Sequence, residues 1–91
     1  MNKGELIDAI SEKAEVTKSQ AESLLNVTLE TIVESVCEGE KVTLVGFGSF
    51  EKRHRNARSG RNPQTGEALS IPATDVPAFS AGKNFKEMVA S

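Results

Sequence analysis

The chain has no tryptophan and no tyrosine, one cysteine, one histidine and three prolines among its 91 residues, and its only aromatics are four phenylalanines. Each shortage excludes something. A single Cys37 permits neither an internal disulfide framework nor a cysteine-rich zinc site, which fits a reducing compartment. A single His54, without a second histidine, cysteine or acid at ligand spacing, argues against a metal centre and reads as a polar strand side chain. No run approaches the roughly 18 apolar residues of a membrane span. Residues 1–5, Met-Asn-Lys-Gly-Glu, reach an acid before any signal-peptide core. The expectation is a soluble, cytoplasmic protein of one domain. With hydrophobic residues at 37% its core is small, and a lone monomer would be marginal.

Lysine and arginine number 11 against 13 for aspartate and glutamate, a net charge of −2 that by itself argues against a polyanionic partner. The distribution reverses that inference. Residues 1–51 hold four basic and ten acidic side chains, whereas residues 52–91 hold seven basic (Lys52, Arg53, Arg55, Arg58, Arg61, Lys83, Lys86) and three acidic. Between 52 and 61 five of ten residues are basic and none is acidic, a candidate polyanion contact.

Apolar spacing predicts two helices, an antiparallel hairpin over 1–39. Leu6, Ile7, Ile10 and Ala14 mark the first, with Asn2 and Glu5 as an N-cap pair. The second has a Thr17/Gln20 capping box, a wide stripe through Leu24, Leu25, Leu29, Ile32, Val33 and Val36, and Gly39 as its C-terminal cap. Cys37 reads as a small buried hydrophobe. The period then changes to two. Strands are expected at 41–45 and from Ser49 outward, with 40–52 and 75–80 forming the sheet. Residues 53–74 read as a two-stranded ribbon turning at Asn62-Pro63-Gln64-Thr65-Gly66. Only Leu69 and Ile71 are large and apolar on its return strand, so the ribbon should project as an arm. Ser80 could cap a short C-terminal helix over 81–91, with Phe85, Met88 and Val89 on one stripe. The fold class is α+β: helical hairpin, three-stranded antiparallel sheet, long β-ribbon arm and short terminal helix. Removing the arm leaves so little core that an obligate dimer is expected.

Arginine outnumbers lysine in the basic block, and a guanidinium offers a permanently charged, planar fork of donors suited to phosphate. Arg53, Arg55 and Arg61 share parity and Arg58 does not, so either a bulge intervenes or both ribbon faces meet the ligand. Pro63 is by default a turn former. On a basic arm it could also be a rigid apolar wedge entering between base pairs. Lys3, Lys83 and Lys86 matter only if the fold gathers them. Gly46-x-Gly48 is followed by Glu at position 51, which leaves a dinucleotide fingerprint incomplete, and no nucleophile, base and orienter can be assembled into a catalyst.

Three runs carry a resemblance: Gly46-Phe47-Gly48-Ser49-Phe50; Arg55-x-x-Arg58-x-Gly60-Arg61-Asn62-Pro63-x-Thr65-Gly66; and Val76-Pro77-Ala78-Phe79-Ser80-Ala81-Gly82-Lys83. Together they resemble the bacterial histone-like HU and integration host factor family, closer to the HU branch in the Asn2-Lys3 start and the Val-Pro-Ala-Phe segment. The resemblance implies an intertwined homodimer with two arms that embrace double-stranded DNA in the minor groove. Lys3, Lys52, Arg53, Arg55, Arg58, Arg61, Asn62, Pro63, Lys83 and Lys86 would then contact DNA. Pro63 would intercalate, and Phe47, Phe50, Phe79, Leu29 and Ile32 would form the dimer core. The implied protein is a non-enzymatic, nucleoid-associated DNA bender and condenser with little sequence preference. It would favour bent or nicked duplex and need no metal, cofactor, membrane or small-molecule substrate. Two alternatives stand beside it: a protein interaction module with a basic docking arm, and a site-selective bender of the integration host factor type. One departure from the family is visible, since Glu67-Ala68-Leu69-Ser70-Ile71 on the return strand has no lysine and adds an acid.

Overall fold

Two compact units, Met1–Glu34 and Ser35–Ser91, make up the computed structural model, which describes residues 1–91. In the first, helix α1 (Lys3–Ala14) starts where the Asn2 Oδ1 accepts the Glu5 N–H at 2.9 Å, satisfying one of the orphan donors of the first turn. It stops at Glu15, whose φ of 56° is left-handed, and the Val16 N–H turns back to the Ser11 carbonyl. Helix α2 (Lys18–Cys37) opens on the reciprocal capping box foreseen from its sequence: Gln20 N–H donates to Thr17 Oγ1 and Thr17 N–H to Gln20 Oε1. Lys18 at its start meets Asp8 of α1 at 3.3 Å. The expected apolar stripe is present but uncovered, with Leu24 and Val33 62% and 60% exposed and only Ala21 fully buried.

In the second unit the end of α2 closes as a Schellman motif. Gly39 at φ 91° donates to the Val36 carbonyl, and the Glu40 N–H donates to the Ser35 carbonyl. Cys37, expected to be buried, is exposed: Val36 takes the inward position, and the next residue lies about 100° further round the helix. Strand β1 spans Val42–Leu44, shorter than the expected 41–45, because the Phe47 N–H returns to the Leu44 carbonyl and leaves Val45 in a turn, 99% exposed. Strand β2 (Gly48–Arg55) pairs antiparallel with β1 and, on its other edge, with β5 (Thr74–Ala81), so the order is β1-β2-β5. Strands β3 (Arg58–Arg61) and β4 (Ala68–Ile71) form a separate two-stranded ribbon. Helix α3 (Lys83–Ala90) starts from Gly82, not Ser80. Ser80 remains inside β5, which stays paired to β2 as far as Ala81, so its hydroxyl cannot cap and instead accepts from Arg53.

All four phenylalanines meet at the base of this sheet. Phe50 and Phe79 are cross-strand partners with ring centroids 4.8 Å apart, and Phe47 lies 5.4 Å from Phe79 and 5.3 Å from Phe85. Glycine at position 48 is what lets the cluster close. A Cβ there would stand 2.5 Å from the Ser80 carbonyl oxygen and 2.7 Å from the Phe79 ring. Gly48→Ala is therefore expected to destabilise the protein by about 1–3 kcal/mol through overpacking, read as a lowered midpoint in thermal unfolding; an unchanged midpoint would show that the β5 backbone at Ser80 and the Phe79 ring both give way freely.

Candidate nucleic-acid interface

The arm is an extension of the β2–β5 ladder. That ladder runs from Gly48 opposite Ala81 to Arg55 opposite Thr74. Two residues on each strand, Asn56-Ala57 and Pro72-Ala73, then fall outside the pairing, and it resumes in the same register with Arg58 opposite Ile71 through Arg61 opposite Ala68. The ribbon expected over 53–74 is thus interrupted once, at a proline with no N–H to donate to a ladder. Because the two gaps are equal, no bulge residue is inserted, which resolves the parity question. Arg58 shares one face of the β3–β4 ribbon with Ile71, Gly60 and Leu69, while Arg61 shares the other with Ser59, Ser70 and Ala68. The two arginines present charge on opposite faces.

The cations expected to serve a ligand divide by what already occupies them. Arg53 is engaged within its own strand pair, its Nε 3.1 Å from Glu51 Oε1 and its Nη2 3.4 Å from Ser80 Oγ. Lys52 Nζ donates to the Cys37 carbonyl at 2.8 Å, placing its charge at the C-terminus of α2, where the helix dipole favours a cation. Lys83 lies 4.0 Å from Glu87 one turn on. Arg55, Arg58 and Lys86 form no ion pair, and Arg61 meets only the Gly66 carbonyl at 3.2 Å. Lys3, at the start of α1, belongs to the other unit. His54 lies on β2 as a polar strand side chain, and strand pairing gives it an acidic neighbour that sequence spacing does not show. Asp75 sits directly opposite on β5, with Oδ1 2.8 Å from His54 Nδ1. The two are 21 residues apart in sequence, so only strand register reveals the pair. No group of three or more His, Cys, Asp or Glu side chains is placed to hold a metal ion, and no helix is long and apolar enough to cross a membrane.

The tip is built on Asn62. Its N–H donates to the Glu67 carbonyl at 2.8 Å, its carbonyl accepts the Gly66 N–H at 2.7 Å, and its Oδ1 accepts the Gln64 N–H at 2.9 Å. Glu67 N–H donates to Thr65 Oγ1 at 3.3 Å, and Gly66 takes a positive φ of 74°. Between these bonds Pro63 stands exposed at the end of the ribbon.

Comparison with known proteins places this arm in context. The model of the family described as bacterial DNA-binding protein matches residues 1–90. The chain belongs to the bacterial HU family. Among curated proteins it is similar to the DNA-binding protein HU of Nostoc sp., 68% identical over 90 residues that cover 99% of this chain and 96% of the relative. HU of Synechocystis sp. is 55% identical, with 99% and 96% covered. Among solved structures an Anabaena HU-DNA cocrystal structure matches with a TM-score of 0.93 at 68% identity, covering 99% of this chain and 98% of that one. HU from Thermotoga maritima matches at 0.71 and 39%, with 98% of each chain covered. In this HU-family chain, Phe47, Phe50 and Phe79, foreseen as dimer core, pack within the protomer with Phe85. Its partnership with Phe47 rests on the Gly82 N–H, which bonds the Phe47 carbonyl at 2.8 Å and seats α3. Helical spacing could mark Phe85 as apolar but not name its neighbours.

The position of Lys52 yields a test. Lys52→Ala should lower stability by about 0.3–1 kcal/mol in thermal unfolding at low salt, with a smaller effect at high salt that screens the helix dipole. Unchanged stability together with a large drop in DNA affinity would instead make Lys52 a DNA contact.

Proposed function

We propose that this protein is a dimeric, non-enzymatic architectural protein that binds double-stranded DNA with little sequence preference and bends and compacts it through its arms. One observation carries the reading: Arg55, Arg58 and Arg61, free of any acidic partner, lie along a ribbon that ends in an exposed, clamped Pro63. Phosphate contact needs uncompensated guanidinium groups, and both ribbon faces carry one, as a ribbon lying between two groove walls requires. Pro63 then acts as a wedge that unstacks a base step. Lys86, Lys83 and Lys3 add contacts to flanking phosphates, and Arg53 contributes once DNA competes with Glu51. The DNA complex of the Anabaena relative supports the same partner for this chain. A place in the cytoplasm, associated with the nucleoid, follows from that partner.

Surface area supports dimerisation. The protomer exposes 7407 Å², whereas a folded monomer of 9.8 kDa exposes about 5,200 Å² on the usual scaling. The arm accounts for part of the excess. The rest includes Leu24, Leu29, Val33, Phe47, Phe79, Met88 and Val89, apolar side chains of the kind a permanent interface covers. We assign Phe47, Phe50, Phe79, Leu29 and Ile32 to that interface, with the homodimer intertwined through it.

Bending costs less where the duplex is already interrupted, so nicked DNA should be retained more tightly than intact DNA in gel shifts. Intact duplex should bind at roughly 10⁻⁴ to 10⁻⁶ M at physiological salt. Equal affinity for both forms would sink the bending mechanism. In a salt titration Arg58→Ala and Arg61→Ala should each weaken binding uniformly across sequences and flatten the log affinity against log salt slope by about one unit for each phosphate no longer neutralised. Passage through a DNA column without retention at low salt would point instead to a protein docking module.

A further inference from the structure

We infer that Asn62 is the positioning residue of the wedge, a role it performs through its Oδ1. The inference rests on the reading of Pro63 as the intercalating residue. Proline can enter a base step only if its ring is held outward while the chain reverses around it, and proline, having no N–H, cannot donate a backbone bond to hold itself there. Its neighbour supplies what it lacks. Three polar groups of Asn62 are spent inside the tip: the N–H on the Glu67 carbonyl, the carbonyl on the Gly66 N–H, and Oδ1 on the Gln64 N–H. The third bond spans Pro63 itself, joining the residue before the proline to the residue after it. Asn62 is half-buried while Pro63 is exposed, and the Asn62 side chain bonds back across the proline to Gln64. Arg61 braces the same loop from the strand side through the Gly66 carbonyl. The Asn62 oxygen that could accept from a base edge is the one that holds the turn, so using it on DNA would release the wedge.

The test separates bending from binding, using fluorescence transfer between the ends of a short intact duplex for bend and a gel shift on nicked duplex for affinity. Asn62→Ala removes the acceptor and should abolish most of the bend, as Pro63→Ala should, and it should lower affinity for nicked DNA no more than Pro63→Ala does. Asn62→Asp keeps an oxygen in the same place. It should keep the bend, and its added charge should weaken binding most at low salt. Bending that survives Asn62→Ala but disappears in Pro63→Ala overturns the positioning role and leaves the wedge standing. Bending absent from both Asn62→Ala and Asn62→Asp also overturns it, because the accepted hydrogen bond would not be what matters. A large drop in affinity for nicked DNA in Asn62→Ala with the bend intact makes Asn62 a direct contact. Bending that survives Pro63→Ala removes the wedge, and with it this inference.

Discussion

The antiparallel pairing of β2 with β5 is the constraint on which the rest of the second unit depends. At one end it sets Phe50 against Phe79 and brings the ring of Phe79 across Gly48. At the other it delivers Arg55 and Thr74 to the break from which the arm departs. The same register resumes beyond the break, so the ladder that seats the aromatic cluster and the separate ladder that carries the Pro63 turn are in step. A strand pair alone has little to bury and is marginal in water. The phenylalanines anchor one end, and this frees the other end to consist of groups suited to a ligand.

Charge is partitioned along the same axis. Near the base the cations are neutralised or employed: Lys52 at the end of α2 and Arg53 with Glu51. Toward the tip the acids thin out and the arginines stand alone. Such an arrangement concentrates positive potential where the protein is least packed, although the whole chain is slightly acidic. The lysine-free return strand sharpens the asymmetry. On the β3–β4 ribbon both cations lie on the outgoing strand, and the return strand offers alanine, leucine, serine and isoleucine. Affinity that rests on few cations falls less steeply with salt, but each of them carries a larger share of it.

Local signals in the sequence were legible because they act over three or four residues. The Asn2 cap, the Thr17/Gln20 box, the Gly39 terminator and the Asn62-to-Gly66 turn all appear where their side-chain chemistry puts them. What escaped involves partners distant along the chain. His54 with Asp75, Lys52 with the Cys37 carbonyl and Phe47 with Phe85 become neighbours only through strand register and the seating of α3. Ser80 shows the same limit from the other side. By composition it is a good cap, but a strand that stays paired to Ala81 leaves no helix for it to start. At the candidate site, the arginines and Pro63 were recognisable from charge and turn chemistry, whereas which cations are already engaged is a tertiary fact.

The equal gaps at Asn56-Ala57 and Pro72-Ala73 limit how such an arm can change its length. A residue inserted on one strand alone would shift every pair beyond it by one position and turn that strand's side chains to the opposite face, exchanging Arg61 with Gly60 or Ala68 with Leu69. Unless a bulge absorbs the extra residue, residues are added or removed on both strands together. Two on each side return Arg58 and Arg61 to the faces they now occupy, and one on each side does not. The reach of the arm is thus quantised in steps of one full pleat, about 7 Å, between variants that keep the same faces toward their ligand.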